Sequence, residues 1–235
     1  MKIPHYCSIA ICMFALAMAS CTSNDDNPII EVPDHAPSGV VAVDLGLPSG
    51  TKWANMNVGA ETPEDFGLYF AWGECNGYTE DTTDGRLFSW EHYKWSDETG
   101  TILTKYSTTD GKQVLDLEDD AANVNWGGQW VMATAEEFNE LIENTTSDMV
   151  TLNGIYGRLY KSNVNDNTLF MPASGFRIDS DLFRRNYGGQ YWTASLNTEE
   201  PSYACNYNLK KLTVTSNEYP RSYGFAIRPV IRKEK

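Results

Sequence analysis

The sequence predicts an α+β fold that is rich in β-strands and contains about two helices. Nine short segments have many β-branched or aromatic residues and are bounded by Gly, Asn or Ser, which is typical of strands. These segments are 40–45, 52–58, 68–72, 157–161, 168–173, 190–195, 203–209, 212–216 and 224–231. Because only two stretches of the chain favour a helix, we expect strands to dominate the fold.

The N-terminus predicts a secretory signal that ends at a lipid attachment site. A charged start precedes an apolar stretch over 9–19, which is too short to span a bilayer as a permanent helix. Residues 1–20 are therefore predicted to be a signal peptide. The sequence Leu-Ala-Met-Ala-Ser-Cys, which ends at Cys21, resembles a bacterial lipobox with Met18 where Leu is usual. The alternative is an ordinary signal peptide cut near Ala19, in which Cys21 is incidental.

Residues 21–38 are predicted to form a tether, because they contain three prolines and little periodic apolar content. Asp25 and Asp26 soon follow the cysteine, which resembles the signal that exports Bacteroidota-type lipoproteins to the outer face of the outer membrane. Several acyl chains on one cysteine would anchor the protein stably. We therefore expect an outer-membrane protein that faces the cell exterior and touches the membrane only through its lipid.

The charge of the chain excludes one class of partner. The formal net charge is −14 at pH 7, and loss of residues 1–20 removes Lys2, which leaves 17 basic residues against 32 acidic ones. Nucleic-acid binding requires clusters of Lys and Arg that displace counterions from phosphates. We therefore expect no nucleic-acid partner. Residues 39–235 are near the upper size of a domain with a single core, so one domain is predicted.

Two stretches predict the helices. Thr134 begins the sequence Thr-Ala-Glu-Glu, in which the hydroxyl and the Glu137 carboxylate can cap each other's backbone N–H groups. Phe138 and Leu141 then lie three residues apart, on one face of the predicted helix. A second helix is predicted over 119–124, because the acidic residues at its start suit the positive end of a helix dipole.

Several blocks of the sequence, in order, resemble those of a known family. They include Asp-Leu-Gly-Leu-Pro-Ser-Gly-Thr-Lys-Trp-Ala over 44–54, Tyr-Phe-Ala-Trp-Gly-Glu over 69–74, Asn-Trp-Gly-Gly-Gln-Trp over 125–130, Tyr-Trp-Thr-Ala-Ser over 191–195 and Gly-Phe-Ala-Ile-Arg-Pro-Val over 224–230. These blocks resemble the Fibrobacter succinogenes major paralogous (FISUMP) domain and cover most of residues 39–235. The resemblance implies a C-type-lectin-like fold that is distantly similar to formylglycine-generating enzymes. It also implies paired N- and C-terminal strands and a long region of loops.

Most tryptophans lie inside these blocks and are predicted to be core residues, with a sugar-stacking platform as the alternative. The block residues are Trp53, Trp72, Trp126, Trp130 and Trp192. Trp90 and Trp95 lie outside the blocks, in an aromatic segment over 88–95. These two are the tryptophans that we expect to be open to a surface role.

Catalytic constellations are not evident in the sequence. The mature chain has two histidines, His35 and His92, so neither a zinc cluster nor a Ser-His-Asp set can be assembled. Formylglycine-generating enzymes use a pair of cysteines that are close together in the sequence. Cys75 and Cys205 are far apart, so we do not expect the catalytic chemistry of those enzymes here. The two cysteines could form a disulfide or act as two buried small residues. We expect no enzyme activity and no catalytic residue.

The segments 163–167 and 179–181 are rich in side chains that carry oxygen atoms. They are candidate calcium ligands, because calcium binds six to eight oxygen atoms. Neither run matches the EF-hand loop, and the sugar-binding motifs of C-type lectins are absent from the sequence. Turn formation by Asn and Asp is the favoured interpretation. We therefore expect no metal or other cofactor, with calcium as the alternative.

The loop over 176–191 is the predicted ligand site. Arg177, Asp179, Asp181, Arg185 and Tyr187 combine rigid donors, carboxylate acceptors and a flat ring with a polar tip. A solvated loop whose charges pair with each other is the alternative. The aromatic segment with Trp90 and Trp95 is the second candidate for ligand binding.

The sequence thus predicts a non-catalytic, surface-anchored lipoprotein that binds an extracellular glycan or a surface protein. A C-type-lectin-like fold alone does not choose between these ligands. One alternative is a structural or tip subunit of a surface appendage. Another is an enzyme that resembles the formylglycine-generating group, for which a reactive cysteine near the ligand loops would be the sign.

Overall fold

The structure is a computed structural model that describes residues 34–79, 87–97, 99 and 102–233. The predicted signal peptide, Cys21 and most of the predicted tether lie outside the described residues. The strands are β1 Ala42–Val43, β2 Lys52–Ala54, β3 Trp130–Met132, β4 Thr145–Leu152, β5 Ile155–Ser162, β6 Thr168–Pro172, β7 Phe176–Ile178, β8 Asp181–Phe183, β9 Gln190–Leu196, β10 Ala204–Asn208, β11 Thr213–Thr215 and β12 Pro229–Ile231. The helices are α1 Ala121–Trp126 and α2 Ala135–Glu143, with 3₁₀ turns at Trp90–His92 and Leu117–Asp119. Neither described α-helix has the length and apolar character needed to cross a membrane.

The strands form four antiparallel sheets. Their orders are β1-β2-β12-β3, β11-β10-β9, β4-β5-β6 and β7-β8. The predicted α+β class, with two helices and a majority of strands, is confirmed. Trp53 in β2 lies opposite Val230 in β12, so an N-terminal strand pairs with the last strand. This pairing matches the one that the family resemblance implies.

Eight of the nine predicted strand segments contain a strand, but the prediction over 68–72 is wrong. Its residues form two isolated bridges, Tyr69 with Tyr78 and Phe70 with Phe225. Gly67 and Gly73 flank the segment with φ of 72° and 75°, a backbone region that other residues rarely adopt. These two reversals leave only a short extended stretch between them, so no longer ladder forms.

Helix α2 begins as the sequence predicts. The Thr134 hydroxyl accepts a hydrogen bond from Glu137 N, and the Glu137 carboxylate accepts one from Thr134 N. This capping box satisfies two N–H groups that the helix itself cannot pair. The buried ring of Phe138 then packs against Trp53 and Tyr207, with ring centroids 4.8 and 4.7 Å away.

Helix α1 begins at Ala121, two residues later than predicted, because Leu117–Asp119 forms a 3₁₀ turn. The buried Asp120 carboxylate caps α1 by accepting from Asn123 N. It also accepts from Met132 N in β3, at 2.8 Å for the shorter contact. One carboxylate therefore joins the helix to the four-stranded sheet.

The five tryptophans that were predicted to be core residues are buried, which confirms this prediction. Two of them donate indole N–H groups to backbone carbonyls, Trp72 to Thr193 O and Trp192 to Phe70 O, both at 2.8 Å. These bonds tie the irregular segment around Phe70 to β9. A buried indole without such a partner would carry a desolvation cost.

Buried arginines hold the loops that connect these elements. Arg221 donates to the backbone carbonyls of Tyr106, Pro201 and Lys105 at 2.8, 3.0 and 2.6 Å. Its guanidinium also lies 5.4 Å from the Trp72 ring centroid. Several carbonyl dipoles and aromatic faces thus replace water around one buried cation.

A small hydrophobic cluster supports the part of the loop region that carries the predicted site. Tyr69, Ala71, Phe88 and Tyr93 are its buried members, and Leu182 in β8 packs against them. Phe88 belongs to the predicted aromatic segment, and Leu182 belongs to the predicted ligand loop. The cluster therefore brings the two candidate segments together.

Candidate ligand-binding site

The predicted ligand loop folds into a hairpin whose two ends differ. Strand β7 pairs with β8, with Phe176 opposite Phe183 and Ile178 opposite Asp181. The predicted residues Asp179 and Asp181 are exposed at the tip of this hairpin. Arg185 and Tyr187 are exposed beyond its base. The predicted residues therefore do not form one surface.

Arg177 was predicted to contact the ligand from the surface. The structure instead places its side chain inside the fold, fully buried. The guanidinium donates from Nη1 to Thr79 O at 2.7 Å and from Nη2 to Ser180 O at 2.8 Å. It also lies 5.3 Å from the Phe88 ring centroid. Burial lowers the pKa of this group. Arg177 fixes the hairpin tip from inside and does not present donors to a ligand.

The hairpin tip lies beside the second predicted segment. Phe88 N donates to Asp179 O at 3.1 Å, and Asp179 N donates to Phe88 O at 3.2 Å. Trp90 follows in a 3₁₀ turn and is half-buried, with its ring 5.3 Å from that of Tyr93. The hairpin tip at Asp179 therefore lies beside the aromatic segment over 88–95. Together they form a second candidate surface for ligand binding.

Trp95 is occupied by contacts within the fold. Its indole Nε1 donates to Gly73 O at 2.9 Å. The ammonium of Lys94 lies 4.1 Å from its ring centroid, and that of Lys105 lies 5.1 Å away. These contacts use both the polar tip and the ring, so Trp95 acts as a support for two lysines.

Hydrogen bonds fix the backbone beyond the base of the hairpin. Arg184 and Asn186 have φ of 58° and 57°, which costs energy for residues other than glycine. Arg184 O accepts from the N–H groups of Tyr187 and Gly188, both at 3.0 Å, and Asn186 N donates to Ala173 O at 2.8 Å. Tyr156 N donates to the Asn186 side chain. These hydrogen bonds hold the backbone of residues 184–188 in place.

A glycine allows the loop to pack this closely. Gly175 has a φ of 71°, and a Cβ atom there would lie 2.2 Å from Phe183 O and 2.6 Å from Arg185 N. Contacts this short are not tolerated against backbone atoms. The close approach of the backbone at Gly175 therefore requires a residue without a side chain.

The resulting surface combines an exposed aromatic ring with cations. Tyr187 is 57% exposed. Lys210, from the turn between β10 and β11, places its ammonium 3.6 Å from the Tyr187 ring centroid. The ammonium of Lys210 and the nearby charge of Arg184 lower the pKa of the Tyr187 phenol. We call Arg184, Tyr187 and Lys210 the Tyr187 surface.

Arg185 lies next to this surface but faces another way. Its guanidinium lies 4.9 Å from the Phe66 ring centroid. Arg184 lies within the predicted ligand loop, whereas Lys210 lies outside it. The signal for Lys210 was present as a Lys-Lys pair after Asn208 in an otherwise acidic chain. Only the fold, however, brings that turn to the Tyr187 ring.

An open cleft of about 410 Å³ lies beside the aromatic segment over 88–95. It is lined by Glu74, Cys75, Asn76, Tyr78, His92, Lys94 and Glu118. The Cys75 thiol contacts Glu118 O at 3.6 Å, and burial raises its pKa to about 11. A thiol with this pKa is protonated at neutral pH and is a poor nucleophile.

Cys75 and Cys205 are both free thiols, which settles the alternatives that the sequence left open in favour of two unpaired cysteines. Burial also raises the pKa of Cys205 to about 11. Its Sγ lies 3.8 Å from Leu196 O. Both residues thus behave as small, half-buried side chains.

Near the cleft, three carboxylates converge on a lysine. Oxygen atoms of Asp116, Glu118 and Asp119 lie within 4.8 Å of one another. The ammonium of Lys105 lies 2.9, 2.8 and 2.5 Å from them. The positive charge at the centre of this cluster therefore comes from the protein itself.

The oxygen-rich run over 163–167 makes the hydrogen bonds of a turn. Asn165 and Asn167 donate their side-chain amides to Asp44 O at 2.9 and 2.7 Å. Asp166 pairs with Lys161 at 2.7 Å. These contacts agree with the turn-forming role that the sequence favours.

The fold and these surfaces define a β-rich α+β domain with an exposed aromatic and cationic surface on a rigid loop. Comparisons with known proteins identify no relative of this chain. No family model matches the chain, no curated protein matches it, and no solved structure matches it. The likeness to the FISUMP domain therefore stays a resemblance in sequence blocks.

Proposed function

We propose that this protein is a non-catalytic lipoprotein, anchored through Cys21 to the outer face of the outer membrane, that binds an extracellular glycan. Its domain is proposed to be C-type-lectin-like, which the pairing of β2 with β12 and the loops between β2 and β3 support. The observation that carries the binding role is the Tyr187 surface. It presents an aromatic ring on a loop whose backbone is already fixed.

A glycan suits this surface because a sugar offers both apolar C–H faces and hydroxyl groups. The exposed ring of Tyr187 provides a flat face with a polar tip, and Arg184 supplies a planar set of donors. The hydrogen bonds around Arg184 and Asn186 mean that little conformational entropy is lost when a ligand binds. A rigid, shallow surface of this kind fits an extended chain better than a small enclosed molecule.

The chemistry of the cysteines supports a non-catalytic role. An enzyme of the formylglycine-generating kind would need a reactive cysteine near the ligand loops. Cys75 is near the aromatic segment, but burial raises its pKa to about 11 and keeps the thiol protonated. Cys205 has the same raised pKa.

A glycan array tests the proposed function. The mature chain carrying Cys21→Ala is screened, and each hit is measured by titration with the parent protein and with Tyr187→Ala. We expect Tyr187→Ala to weaken binding at least tenfold while the melting temperature stays within about 2 °C, since the residue is exposed.

Trp90→Ala is the matched control, because it removes an aromatic ring from the other candidate surface. It should retain the affinity of the parent protein. An array without any glycan hit contradicts the glycan proposal, and capture of a surface protein would then identify the other ligand class. Loss of binding in Trp90→Ala alone would move the site to the hairpin tip.

A further inference from the structure

We propose that the Tyr187 surface selects an anionic glycan, a chain whose sugars carry carboxylate or sulfate groups. This inference rests on the proposed function and names the class of its ligand. It starts from the distribution of cations in a chain with a formal net charge of −14.

Most described lysines and arginines are already used by the protein. Ion pairs with carboxylates occupy Lys52, Lys94, Lys105, Lys112, Lys161, Lys211 and Arg232. Hydrogen bonds to the fold hold the buried residues Arg158, Arg177, Arg221 and Arg228. The cations that remain exposed for a partner are therefore few.

Two of those few lie beside the same exposed ring. Lys210 and Arg184 are exposed, and neither forms an ion pair with a carboxylate of the described residues. The ammonium of Lys210 lies 3.6 Å from the Tyr187 ring centroid, and Arg184 lies in the same turn as Tyr187, with Arg184 O accepting from Tyr187 N at 3.0 Å. In an acidic protein, two such cations at one place mark a local site for an anion.

Hydrogen bonds hold the backbone of Lys210 in place, as they do that of Tyr187. Asn208 Oδ1 accepts from the backbone N–H groups of Lys210 and Lys211, at 3.1 and 2.9 Å. Arg158, which is buried, donates to Leu209 O at 2.7 Å and to Lys210 O at 3.2 Å. The buried guanidinium of Arg158 thus holds the turn that carries Lys210.

These positions explain how an acidic sugar would bind. Its ring would stack on the face of Tyr187 that Lys210 does not cover, while its carboxylate or sulfate would accept hydrogen bonds from Arg184 and Lys210. Charge-assisted bonds of this kind are about twice as strong as neutral ones, and the guanidinium can bind an oxyanion with two parallel bonds. A neutral sugar would gain the stacking contact but not the charge-assisted bonds to the two cations.

Two matched pairs of polymers test the inference by titration with the mature Cys21→Ala chain. The pairs are polygalacturonate with its fully methyl-esterified form, and dextran sulfate with dextran. We expect at least one anionic polymer to bind at least tenfold more tightly than its neutral partner. The double variant Arg184→Gln, Lys210→Gln should lose at least tenfold in affinity for that anionic polymer.

The control double variant is Lys52→Gln, Lys161→Gln, which removes the same charge from two cations that are paired with carboxylates. It should bind as the parent protein does. Equal binding of the anionic and neutral partners, no binding to either anionic polymer, or an equal loss in the control variant would overturn the inference. If the glycan array still yields Tyr187-dependent neutral hits, the proposed function stands and only the anionic selection fails.

Discussion

The Arg228 guanidinium donates from Nε to Asn57 Oδ1 over 2.8 Å, although 171 residues separate the two in the sequence. Both side chains are buried. Nη1 of Arg228 also donates to Ala54 O at 2.9 Å and to Phe170 O at 3.1 Å. Burial lowers the pKa of Arg228 to about 10, yet the group remains charged at neutral pH. One buried cation thus connects the first block of the domain, the strand β6 and the last block.

Arg228→Ala should destabilise the domain by more than about 3 kcal/mol, because it leaves buried acceptors without a donor and creates a cavity. The free energy of unfolding in urea measures this loss. Arg184→Ala, at an exposed position, should change it by less than about 0.5 kcal/mol. A wild-type urea midpoint for Arg228→Ala would contradict the structural role of Arg228.

Trp130→Ala should cost about 3–5 kcal/mol, as expected for removal of a large buried ring. Trp130 is 4% exposed, and its ring lies 5.3 Å from that of Trp126 at an interplanar angle of 88°. Thermal unfolding measures the effect, with the half-buried Trp90→Ala as a milder comparison. If Trp130→Ala melts like the wild type and merely loses a ligand, Trp130 is a binding residue instead.

Asp116→Asn should make stability less dependent on pH in acid. Hydrogen bonds from Lys112 and Lys105 lower the pKa of Asp116 from 3.8 to about 2. A lowered pKa stabilises the folded state above pH 3.8, and this contribution is lost as the pH falls towards 2. Urea midpoints at pH 5, 4, 3 and 2 should therefore fall less steeply in Asp116→Asn than in the wild type.

The control is Asp44→Asn, which affects an exposed pair in which Lys52 lies 3.7 Å away. The urea midpoint of this variant at pH 5 should stay close to that of the wild type, since exposed pairs contribute little to stability. An Asp116→Asn curve that parallels the wild type over the whole range would disprove the coupling to Lys105 and Lys112.

Asp120→Asn should show the opposite pH dependence. Burial raises the pKa of Asp120 from 3.8 to about 6, despite the hydrogen bonds from Asn123 N and Met132 N. A raised pKa means that the contribution of this group is present below pH 3.8 and is lost as the pH rises through about 6. The stability of Asp120→Asn relative to the wild type should therefore increase between pH 4 and pH 6.

Asparagine is a suitable replacement here because its side-chain oxygen can still cap α1. The difference in urea midpoint between variant and wild type, measured at each pH, isolates the group from the other carboxylates. A difference that stays constant from pH 4 to pH 7 would show that Asp120 does not titrate in this window.

Cys21→Ala should release the protein from the membrane, because the variant cannot receive the lipid. Fractionation of cells followed by immunoblotting measures this change. Protease added to whole cells should digest the wild-type protein if the domain faces the exterior. Membrane retention of Cys21→Ala would contradict the lipid anchor, and protection of the wild type would place the domain in the periplasm.

The helices were predictable from local chemistry, and the short strands were less so. The capping box of Thr134 and Glu137 is a pattern within four residues, and the structure reproduces it. Strand β4, Thr145–Leu152, was missed because it lies at the edge of its sheet, and its alternating half-buried and exposed residues include few large apolar ones. Strands β7 and β8 are three residues long and carry charged side chains, so no periodic signal marks them.

The candidate site was predictable in part. The exposure of Tyr187 agrees with the loop character of its sequence, but the burial of Arg177 does not. An arginine in a polar run looks the same whether it faces solvent or donates to distant carbonyls such as Thr79 O. Lys210 reaches Tyr187 through pairing of β10 with β9, a contact that no local pattern indicates.

The position of β12 has a consequence for how the chain is made. This last strand lies between β2 and β3, and its Val230 pairs with both Trp53 and Val131. The four-stranded sheet therefore lacks one of its two central strands until residues 229–231 have been synthesised. Closing so long a loop is slow, since contacts distant in sequence form late. We expect a chain that stops short of residue 229 to leave the facing edges of β2 and β3 unpaired, which would expose them to proteolysis.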